Sequence, residues 1–350
     1  MKKQRNELLN IMEAIAAILV IFIHICFPTG AGRAVVAIAR ISVPFFFGIS
    51  GYFFYKNSPE KELASIPRKI KHLLLLLLCS EAVHFAYYLL LQIDNCGFTF
   101  QAVKNVIESE ILDLYCNNLL SRLMVFAPPL NGIFWFVGSL IVVYLCFYFI
   151  VRNDQQQTAF RISLVCLVIG YVLRRVFFYT GVETDFPYER LLPFLPFPFF
   201  MIGYYIRENQ SRFDRINDNV YYGLFVLGVC LTLLEQLVEK GDHTLYAGTL
   251  ILVPTMLSFG GKHRSYVPKT AAGKYFSHVG SDTATYIYML HMMVGSICSI
   301  MLLRLLPSVT MHPLYLWLFP ILAGVASCVC ADVIYLAKRT INRIGEHLWN

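Results

Sequence analysis

The chain is 350 residues long, and its composition is that of a membrane protein and not of a soluble one. Hydrophobic residues make up 57% of the chain and charged residues only 15%, with a mean hydropathy of +0.59, which excludes a soluble globular domain of this size. The net charge of +7 arises from short basic clusters between apolar stretches. That pattern is typical of a membrane protein oriented by its loops, and it argues against a nucleic-acid-binding protein.

Ten apolar stretches follow one another along the chain, most of them near the length of about 20 residues that a membrane-spanning helix needs. They predict an all-α fold, a polytopic membrane bundle of about ten transmembrane helices. The sixth stretch contains Pro193, Pro196 and Pro198, so we expect it to be bent or unwound near its start. The stretches cover residues 8–28, 35–55, 72–92, 131–151, 160–180, 191–206, 219–238, 243–260, 283–304 and 314–337.

The positions of the basic residues predict the orientation of the bundle. With the N-terminus inside, most of the 29 Lys and Arg residues fall on inner loops or termini, as the positive-inside rule requires. We therefore expect both termini in the cytoplasm and an even number of spans. The opening MKKQR and the apolar run after it resemble a signal peptide. Because that run is long, carries two ionisable residues and leads directly into a second stretch, we expect it to be retained.

Glu13 and His24 interrupt the first apolar run, Asn10 to Phe27. An ionisable group inside a bilayer is costly and is rarely kept without use. Eleven residues at about 100° each return to nearly the same face of a helix, so we expect both on one stripe, buried, and roughly 16 Å apart along the axis. Each would lie toward a different side of the membrane, where a reaction supplied from both sides needs its groups.

The segment 93–130 lies on the outer side in this orientation, and its apolar residues recur at helical spacing. We expect it to form an amphipathic helix on the outer membrane face. The sequence PPLNG (128–132) then turns the chain into the fourth span. Cys96 and Cys116 in this segment either pair, if that side is oxidising, or remain free thiols.

Common motifs for soluble catalytic sites are absent from the sequence. It contains no CxxC pair, HExxH, Walker loop or GxSxG motif, so metal, nucleotide and hydrolase templates find no support. We expect no metal site and no tightly bound cofactor. Nothing indicates a second soluble domain, so the whole chain, 1–350, is predicted to form one membrane domain.

Five segments, spread in order over nearly the whole chain, resemble the acyltransferase-3 family of integral membrane O-acyltransferases, which modify bacterial polysaccharides and related glycans. The first follows the family's opening helix, which ends in its histidine at His24, and the second resembles its FFxxSGY signature. The third resembles a basic loop before the third span, the fourth a Trp-Phe span start, and the fifth a late Tyr-x-Tyr-Leu-His-like element. The segments are NIMEAIAAILVIFIH (10–24), VPFFFGISGYFF (43–54), PRKIKHLLLL (67–76), FWFVGSL (134–140) and TYIYMLHMMV (285–294).

The resemblance implies a multi-pass O-acyltransferase of a bacterial cytoplasmic membrane. Such an enzyme moves an acyl group, here expected to be acetyl, from a cytoplasmic thioester donor to a hydroxyl of a cell-envelope glycan or lipid-linked sugar. The donor, acetyl-CoA as the expected form, would be a substrate and not a bound cofactor. The bilayer and the glycan would be the partners of the protein, and nucleic acid would not be one.

Glu13 departs from the family pattern. The family usually has an arginine eleven residues before the histidine, thought to serve the donor, and this chain has a carboxylate there. An ionised Glu13 would repel an anionic donor such as acyl-CoA instead of holding it. Three alternatives are open: other cations bind the donor, Glu13 is neutral or paired, or the ordinary activity has been lost.

Three residues of the first two spans receive roles from the resemblance. His24 would be the general base that takes the proton from a sugar hydroxyl; the alternative is a structural histidine bonded to a neighbouring helix. Arg40, at a similar depth, would stabilise an oxyanion, hold a phosphate or pair with a carboxylate, unless it only extends to the headgroups. For Ser50, packing is favoured over a nucleophilic role, because no base lies beside it in sequence. Gly48 and Gly51, on either side of it, are expected to allow close helix approach.

Further candidates lie on later spans. Arg68 and Lys71 form an R-x-x-K pair at the inner end of the third span; they would clamp the phosphates of a CoA-type donor, unless they only follow the positive-inside rule. Trp135 would offer an aromatic face to the acceptor sugar. His291 is interpreted as structural. Glu81 and His84 are polar lining candidates. A group of charged residues on the outer side could line an acceptor site, but a salt-bridge cluster is favoured: Arg174, Arg175, Glu183, Asp185, Glu189 and Arg190.

The competing hypothesis is a membrane protein without catalytic activity. The intramembrane residues Glu13, Glu81 and Asp332 suit an ion or solute path, and loss of the donor site through Glu13 would leave a sensor on the same scaffold. A transporter predicts inverted repeats with broken helices in matching halves. The sequence shows only one stretch interrupted by several prolines, so the enzyme is the favoured hypothesis.

Overall fold

Helices form all the regular structure of the part of the chain that the computed structural model describes, residues 6–97, 99–113, 116–182, 188–241, 243–310 and 312–348. The predicted all-α fold is therefore confirmed. Eight helical segments of these residues are long and apolar enough to cross a membrane, and they coincide with predicted stretches one to five, seven, nine and ten. The sixth and eighth stretches form helices of 13 and 16 residues. The count of ten spans stays a prediction.

The helices group into two compact units. The first comprises Met1–Phe46 with Asn209–Asn350, and the second comprises Phe47–Glu208. Helices of the first unit are α1 (Glu7–His24), α2 (Thr29–Ala39), α10 (Gln210–Phe213), α11 (Asp218–Glu239), α12 (Ala247–Lys262), α13 (Ala271–His278), α14 (Ala284–Leu305), α15 (Pro307–Thr310) and α16 (Pro313–Leu348). Those of the second are α4 (Pro59–Cys96), α5 (Phe100–Val106), α6 (Leu119–Met124), α7 (Trp135–Arg152), α8 (Gln156–Thr180) and α9 (Pro196–Glu208), while α3 (Ser42–Phe54) begins in the first unit and continues into the second.

The start of α1 is fixed by Asn6. Its side-chain oxygen accepts a hydrogen bond from the Leu9 amide at 3.1 Å, which satisfies one of the donors that a helix start leaves open. Its side-chain nitrogen donates to the carbonyl of Gly260 at 2.9 Å. The first turn of α1 is thereby attached to the end of α12 within the first unit.

The start of α1 and the end of α16 lie on the same side of the first unit. A π-helical turn, Val279–Thr283, joins α13 to α14, and its Gly280 packs so closely on α1 that a Cβ there would lie 1.8 Å from the Asn10 carbonyl oxygen. Next to this turn, Lys338 of α16 donates to the Tyr286 hydroxyl at 3.2 Å. The start of α1 and the end of α16 are therefore on one side, as an even number of spans requires. Their cytoplasmic location stays a prediction.

The second predicted stretch coincides with one candidate span, Thr29–Phe54, but this span consists of two helices. The α2 helix ends at Ala39 and α3 begins at Ser42. Pro44 explains the break, because proline has no N–H to bond the carbonyl of Arg40 four residues earlier. Hydropathy alone runs through this point, so the sequence did not reveal the break.

The α4 helix runs without interruption over 38 residues, or about 57 Å at 1.5 Å per residue. Ser58 caps its start by accepting from the Lys61 amide at 3.4 Å. The prediction of a basic loop at 67–76 is therefore wrong, since Arg68 and Lys71 lie on a helix. Pro67 is accommodated inside this helix.

The outer segment does not form the single amphipathic helix that its periodicity predicts. It folds as α5, a π-helical turn at Ile107–Asp113, a 3₁₀ turn at Cys116–Asn118 and α6. The buried Ala102 and Val106 side chains pack α5 back toward α4. The predicted turn at 128–132 is confirmed, and Asn131 closes it by accepting from the Ile133 amide at 3.1 Å. The Cys96 side chain lies outside the described residues, so its pairing is untested.

The α3 and α9 helices cross at unusually short distance in the second unit. A Cβ on Gly51 would lie 1.9 Å from the Phe200 carbonyl oxygen, and one on Gly203 would lie 1.8 Å from that of Gly48. The sequence-based interpretation that Gly48 and Gly51 permit close helix approach is confirmed. The α9 helix begins only at Pro196, after a turn over residues 191–195, as the prolines predict.

Candidate functional site

The predicted site residues are divided between the two units. Those on the first unit are Glu13, His24 and Arg40, and those on the second unit are Ser50, Arg68, Lys71 and Trp135.

His24 is the last residue of α1, and its side chain is exposed. The expectation that the protein buries this histidine is wrong, because the helix ends here and the chain turns away toward Pro28. The His24 ring lies 5.3 Å from the ring of His291 on α14, measured between centroids, with 37° between their planes. An exposed imidazole at a helix end can be reached by a substrate hydroxyl.

His291, which the sequence analysis interprets as structural, is the residue that the fold places beside His24. It is 1% exposed, and its Nδ1 lies 2.8 Å from the carbonyl oxygen of Tyr288 and 3.2 Å from that of Ile287. Carbonyl oxygens only accept hydrogen bonds, so Nδ1 carries the hydrogen and Nε2 is the acceptor of the neutral ring. The signal for this residue was present in the TYIYMLHMMV segment, but nothing local in sequence links it to His24.

Glu13 and Arg40 frame the same unit at other points. The Glu13 side chain is half-buried on α1. It comes one residue before the buried Ala14 and three residues after Asn10, which contacts Gly280 of the π-helical turn. Arg40 occupies the break between α2 and α3, where its amide donates to the Val36 carbonyl at 3.0 Å. Because α2 ends at Ala39, Arg40 lies in a turn and not within a continuous helix.

Arg68 and Lys71 are exposed on α4 of the second unit. Neither forms an ion pair or a hydrogen bond with a described side chain. Lys71 borders an apolar groove of about 710 Å³ between α4 and α7, lined also by Leu74, Leu145 and Tyr148. A cation at the end of an apolar groove suits an amphiphilic ligand with an anionic head.

Trp135 is 7% exposed, at the first position of α7. The Arg190 guanidinium lies 5.4 Å from the centre of its ring, in the range of a cation–π interaction, and the Phe47 ring lies 6.1 Å away. The aromatic face predicted for an acceptor sugar is thus partly covered by an arginine. Arg190 therefore accompanies Trp135 in this site, a pairing that sequence reasoning did not predict.

Glu81 and His84 lie close to the turn that precedes Trp135. One oxygen of Glu81 accepts from the Leu130 amide at 2.9 Å, and the His84 ring meets the Phe134 ring edge-on at 5.1 Å. His84 Nδ1 lies 2.9 Å from the Ser80 carbonyl oxygen, so Nε2 is the acceptor. Glu81 Oε1 and His84 Nε2 are buried acceptors with no hydrogen-bond donor among the described residues. Both would suit a ligand hydroxyl.

The expected salt-bridge cluster of the charged outer group stays a prediction, of which the structure describes one ion pair. Arg174 pairs with Glu189 at 3.4 Å, and the Arg175 guanidinium lies 4.6 Å from the centre of the Tyr171 ring. Burial raises the pKa of the Tyr188 hydroxyl above its ordinary value, so this group stays neutral beside them. Glu183 and Asp185 lie outside the described residues.

Comparison with known proteins finds a family match over nearly the whole chain. Residues 6–336 match the family model described as "Acyltransferase domain", acyltransferase-3. A curated protein from Enterococcus faecalis, "Amino-acid racemase", is 26% identical over 288 residues, which are 75% of this chain and 37% of that protein. The chain thus spans little more than a third of that relative, whose named activity stays with that protein. No solved structure matches the chain.

Proposed function

The chain belongs to the acyltransferase-3 family of membrane acyltransferases, and from that premise we propose that it moves an acetyl group from a cytoplasmic thioester donor to a hydroxyl of a cell-envelope glycan or lipid-linked sugar. The membrane is proposed to be a bacterial cytoplasmic membrane. One observation carries the proposal. An exposed His24 ends the first helix with its ring 5.3 Å from the buried His291.

The proposed chemistry places the proton on His24. Its imidazole accepts the proton of the attacking hydroxyl while the hydroxyl oxygen bonds to the acyl carbonyl carbon. The tetrahedral adduct then breaks its carbon–sulfur bond, and the proton passes from His24 to the leaving thiolate. An ester and a free thiol result, so atoms and charge balance. The neighbouring His291, fixed by the Tyr288 carbonyl, is a positioning residue for the His24 ring.

The acceptor is proposed to bind on the second unit near the start of α7. Sugar hydroxyls donate hydrogen bonds, and Glu81 Oε1 and His84 Nε2 are buried acceptors there. Trp135 contributes an aromatic surface beside Arg190, and faces of sugar rings pack on such surfaces because they are apolar. Ser50, close to the crossing of α3 with α9, is assigned to packing.

The donor is proposed to approach from the basic side of the protein, where Arg68 and Lys71 are without a described ionic partner. Phosphate groups are bound most strongly by arginine forks and by lysine. Arg40 is the candidate for stabilising the oxyanion. Since Glu13 takes the place of the family arginine, donor binding in this chain must depend on cations elsewhere.

The experiment separates donor binding from transfer in purified protein. Binding of labelled acetyl-CoA and release of free thiol are measured for wild type, His24→Ala and Glu13→Arg, with His72→Ala, an exposed histidine of α4, as the matched control. We expect His24→Ala to keep donor binding and to lose transfer by about 10²-fold or more. Normal transfer by His24→Ala would refute the assignment of the base.

The second candidate function is a sensor or transporter on the same scaffold, and Glu13 is the observation that favours it. A carboxylate where the family binds its donor suits a protein that no longer uses one. The same experiment discriminates between the two functions. Wild type that binds no donor, together with Glu13→Arg that binds it, would establish the non-catalytic function and overturn the proposed one.

A further inference from the structure

A second cavity, polar where the groove beside Lys71 is apolar, lies in the first unit. It adjoins the π-helical turn that packs on the start of α1. Its volume is about 440 Å³, and it is formed by that turn, the start of α14 and the end of α16. Three cations border it. Its lining includes Ser281, Tyr286, Tyr335, Lys338, Arg339 and Arg343.

The cations of this cavity are available to a ligand. Arg339 and Arg343 are exposed and form no ion pair with any described side chain. Lys338 donates to the Tyr286 hydroxyl at 3.2 Å. The cavity therefore holds more positive charge than its own side chains neutralise.

Two carboxylates belong to this region: Asp282 lines the cavity itself, and both Asp282 and Asp332 contact other groups. Asp282 lies 3.2 Å from the His278 ring and accepts from the Ser281 hydroxyl at 2.8 Å. Asp332 accepts from the Tyr275 hydroxyl at 3.0 Å and lies 3.4 Å from the other ring nitrogen of His278. A hydrogen bond does not remove the charge of a carboxylate, so Asp282 and Asp332 offset part of the positive charge. Three described cations against two carboxylates still leave an excess of positive charge.

The shape and the chemistry of the cavity suit a phosphate ester. Arginine presents a planar fork to phosphate oxygens, and lysine adds a point charge. The Tyr286 and Tyr335 rings flank the cations and offer flat surfaces of the kind on which a nucleotide base stacks. The π-helical turn widens the backbone where Ser281 is presented, a distortion frequent at functional sites.

We propose that this cavity binds phosphate groups at the side of the membrane where α1 begins and α16 ends. Two sources carry that chemistry, a CoA-type acyl donor and an anionic phospholipid headgroup. The assignment to the donor rests on the proposed function, and it would place the donor phosphates here instead of at Arg68 and Lys71, which supplies cations in place of the one that Glu13 removes. Lys338, Arg339 and Arg343 lie beyond residue 336, where the match to the family model ends.

The test uses the full chain in zwitterionic phosphatidylcholine nanodiscs. Calorimetry measures the binding of coenzyme A and of 3′-dephospho-coenzyme A, and native mass spectrometry measures the retention of added phosphatidylglycerol. The variants are Arg339→Gln/Arg343→Gln and Arg339→Lys/Arg343→Lys, with Lys274→Gln, an exposed cation outside the cavity, as control. Since the substituted side chains are exposed, thermal unfolding of each variant should match that of wild type.

We expect Arg339→Gln/Arg343→Gln to weaken binding of one phosphate source about tenfold or more, the lysine pair to retain much of it, and Lys274→Gln to match wild type. Weakened coenzyme A binding assigns the cavity to the donor; weakened lipid retention alone assigns it to a headgroup. Unchanged binding of both, or no binding by wild type, overturns the proposal. If wild type binds coenzyme A through these arginines but transfers no acyl group, the proposed function fails while the phosphate site stands.

Discussion

At the scale of single residues, the pair of His24 and His291 distinguishes the first unit. The two rings come from helices far apart in sequence and meet only in the folded chain. His24 ends an apolar helix, where an imidazole is accessible, and His291 has its tautomer fixed by backbone carbonyls of its own helix. A base whose neighbour is held in one orientation loses less entropy when it positions a substrate.

Replacement of His291 by glutamine should lower kcat about tenfold and leave KM for the donor unchanged. The change removes the ring that lies 5.3 Å from the His24 ring, so the base loses orientation, while the proposed donor contacts lie elsewhere. Steady-state kinetics with varied donor check this, with His72→Gln as control. A rise in donor KM at constant kcat would contradict a positioning role.

Replacement of Trp135 by leucine should raise KM for the glycan acceptor several-fold, because the aromatic surface beside Arg190 is lost. Donor binding should not change. Trp135→Phe keeps a ring and is the matched variant, expected to lie between wild type and Trp135→Leu. Kinetics with a cell-envelope glycan extract as acceptor give the comparison. Equal acceptor KM for all three proteins would remove Trp135 from the acceptor site.

At the scale of elements, α3 and α9 approach each other through their backbones. The crossing of α3 with α9 places the carbonyls of Gly48 and Phe200 against glycines of the facing helix. Small residues let helix backbones approach in a membrane, where burial of apolar surface against lipid gains little. Ser50 is carried on the same helix as this crossing.

The Gly203→Ala variant should be less stable than wild type by about 1–3 kcal/mol. The new Cβ would lie 1.8 Å from the Gly48 carbonyl oxygen, and the facing backbone can relieve that overlap only by moving. Gly223→Ala on α11 is the control, since nothing lies within 4 Å of its Cβ and alanine favours the helix. Thermal unfolding in one detergent measures both. An unchanged Tm for Gly203→Ala would show that the helices do not meet at this distance.

The break between α2 and α3 and the course of α4 show where sequence reasoning reached its limit. Hydropathy identified both spans, but Pro44 interrupts one of them through a missing amide, and Pro67 leaves the other intact. The same residue type thus has opposite outcomes, which depend on packing and not on composition. Glycine spacing at Gly48 and Gly51, by contrast, indicated close approach directly, because only glycine permits it.

Only part of the candidate site was predicted from the sequence, because some of its residues come together only in the folded chain. His24, Glu13 and Trp135 were recognised from motifs along the chain. His291 and Arg190 became part of the site only through contacts between residues far apart in sequence. The cations of the second cavity share this property, since α16 brings them to a turn between α13 and α14.

At the scale of the whole molecule, the arrangement of helices follows from the solvent. A bilayer requires each spanning segment to satisfy its own backbone, so helices are the only regular structure expected. The contact of Asn10 with Gly280 and the hydrogen bond from Lys338 to Tyr286 place the start of α1 and the end of α16 at one end of the first unit. This is consistent with both termini on the cytoplasmic side.

Cysteine labelling in intact cells tests this topology. In a background without the ten native cysteines, Asn153→Cys between α7 and α8 should react with a membrane-impermeant maleimide only after permeabilisation. Val182→Cys, after the end of α8, should react in intact cells, because one span separates it from Asn153. Labelling of both positions from the same side would contradict the predicted orientation.

The central claim is that the chain transfers an acyl group across the membrane with His24 as base, and a sided assay tests it most directly. Purified protein is reconstituted into vesicles with labelled acetyl-CoA enclosed, and envelope glycan is added outside. Vesicles in which the cytoplasmic side faces inward should give labelled glycan with wild type, and His24→Ala should reduce the yield about 10²-fold or more. Donor that stays intact with wild type, or equal labelling by His24→Ala, would contradict the account.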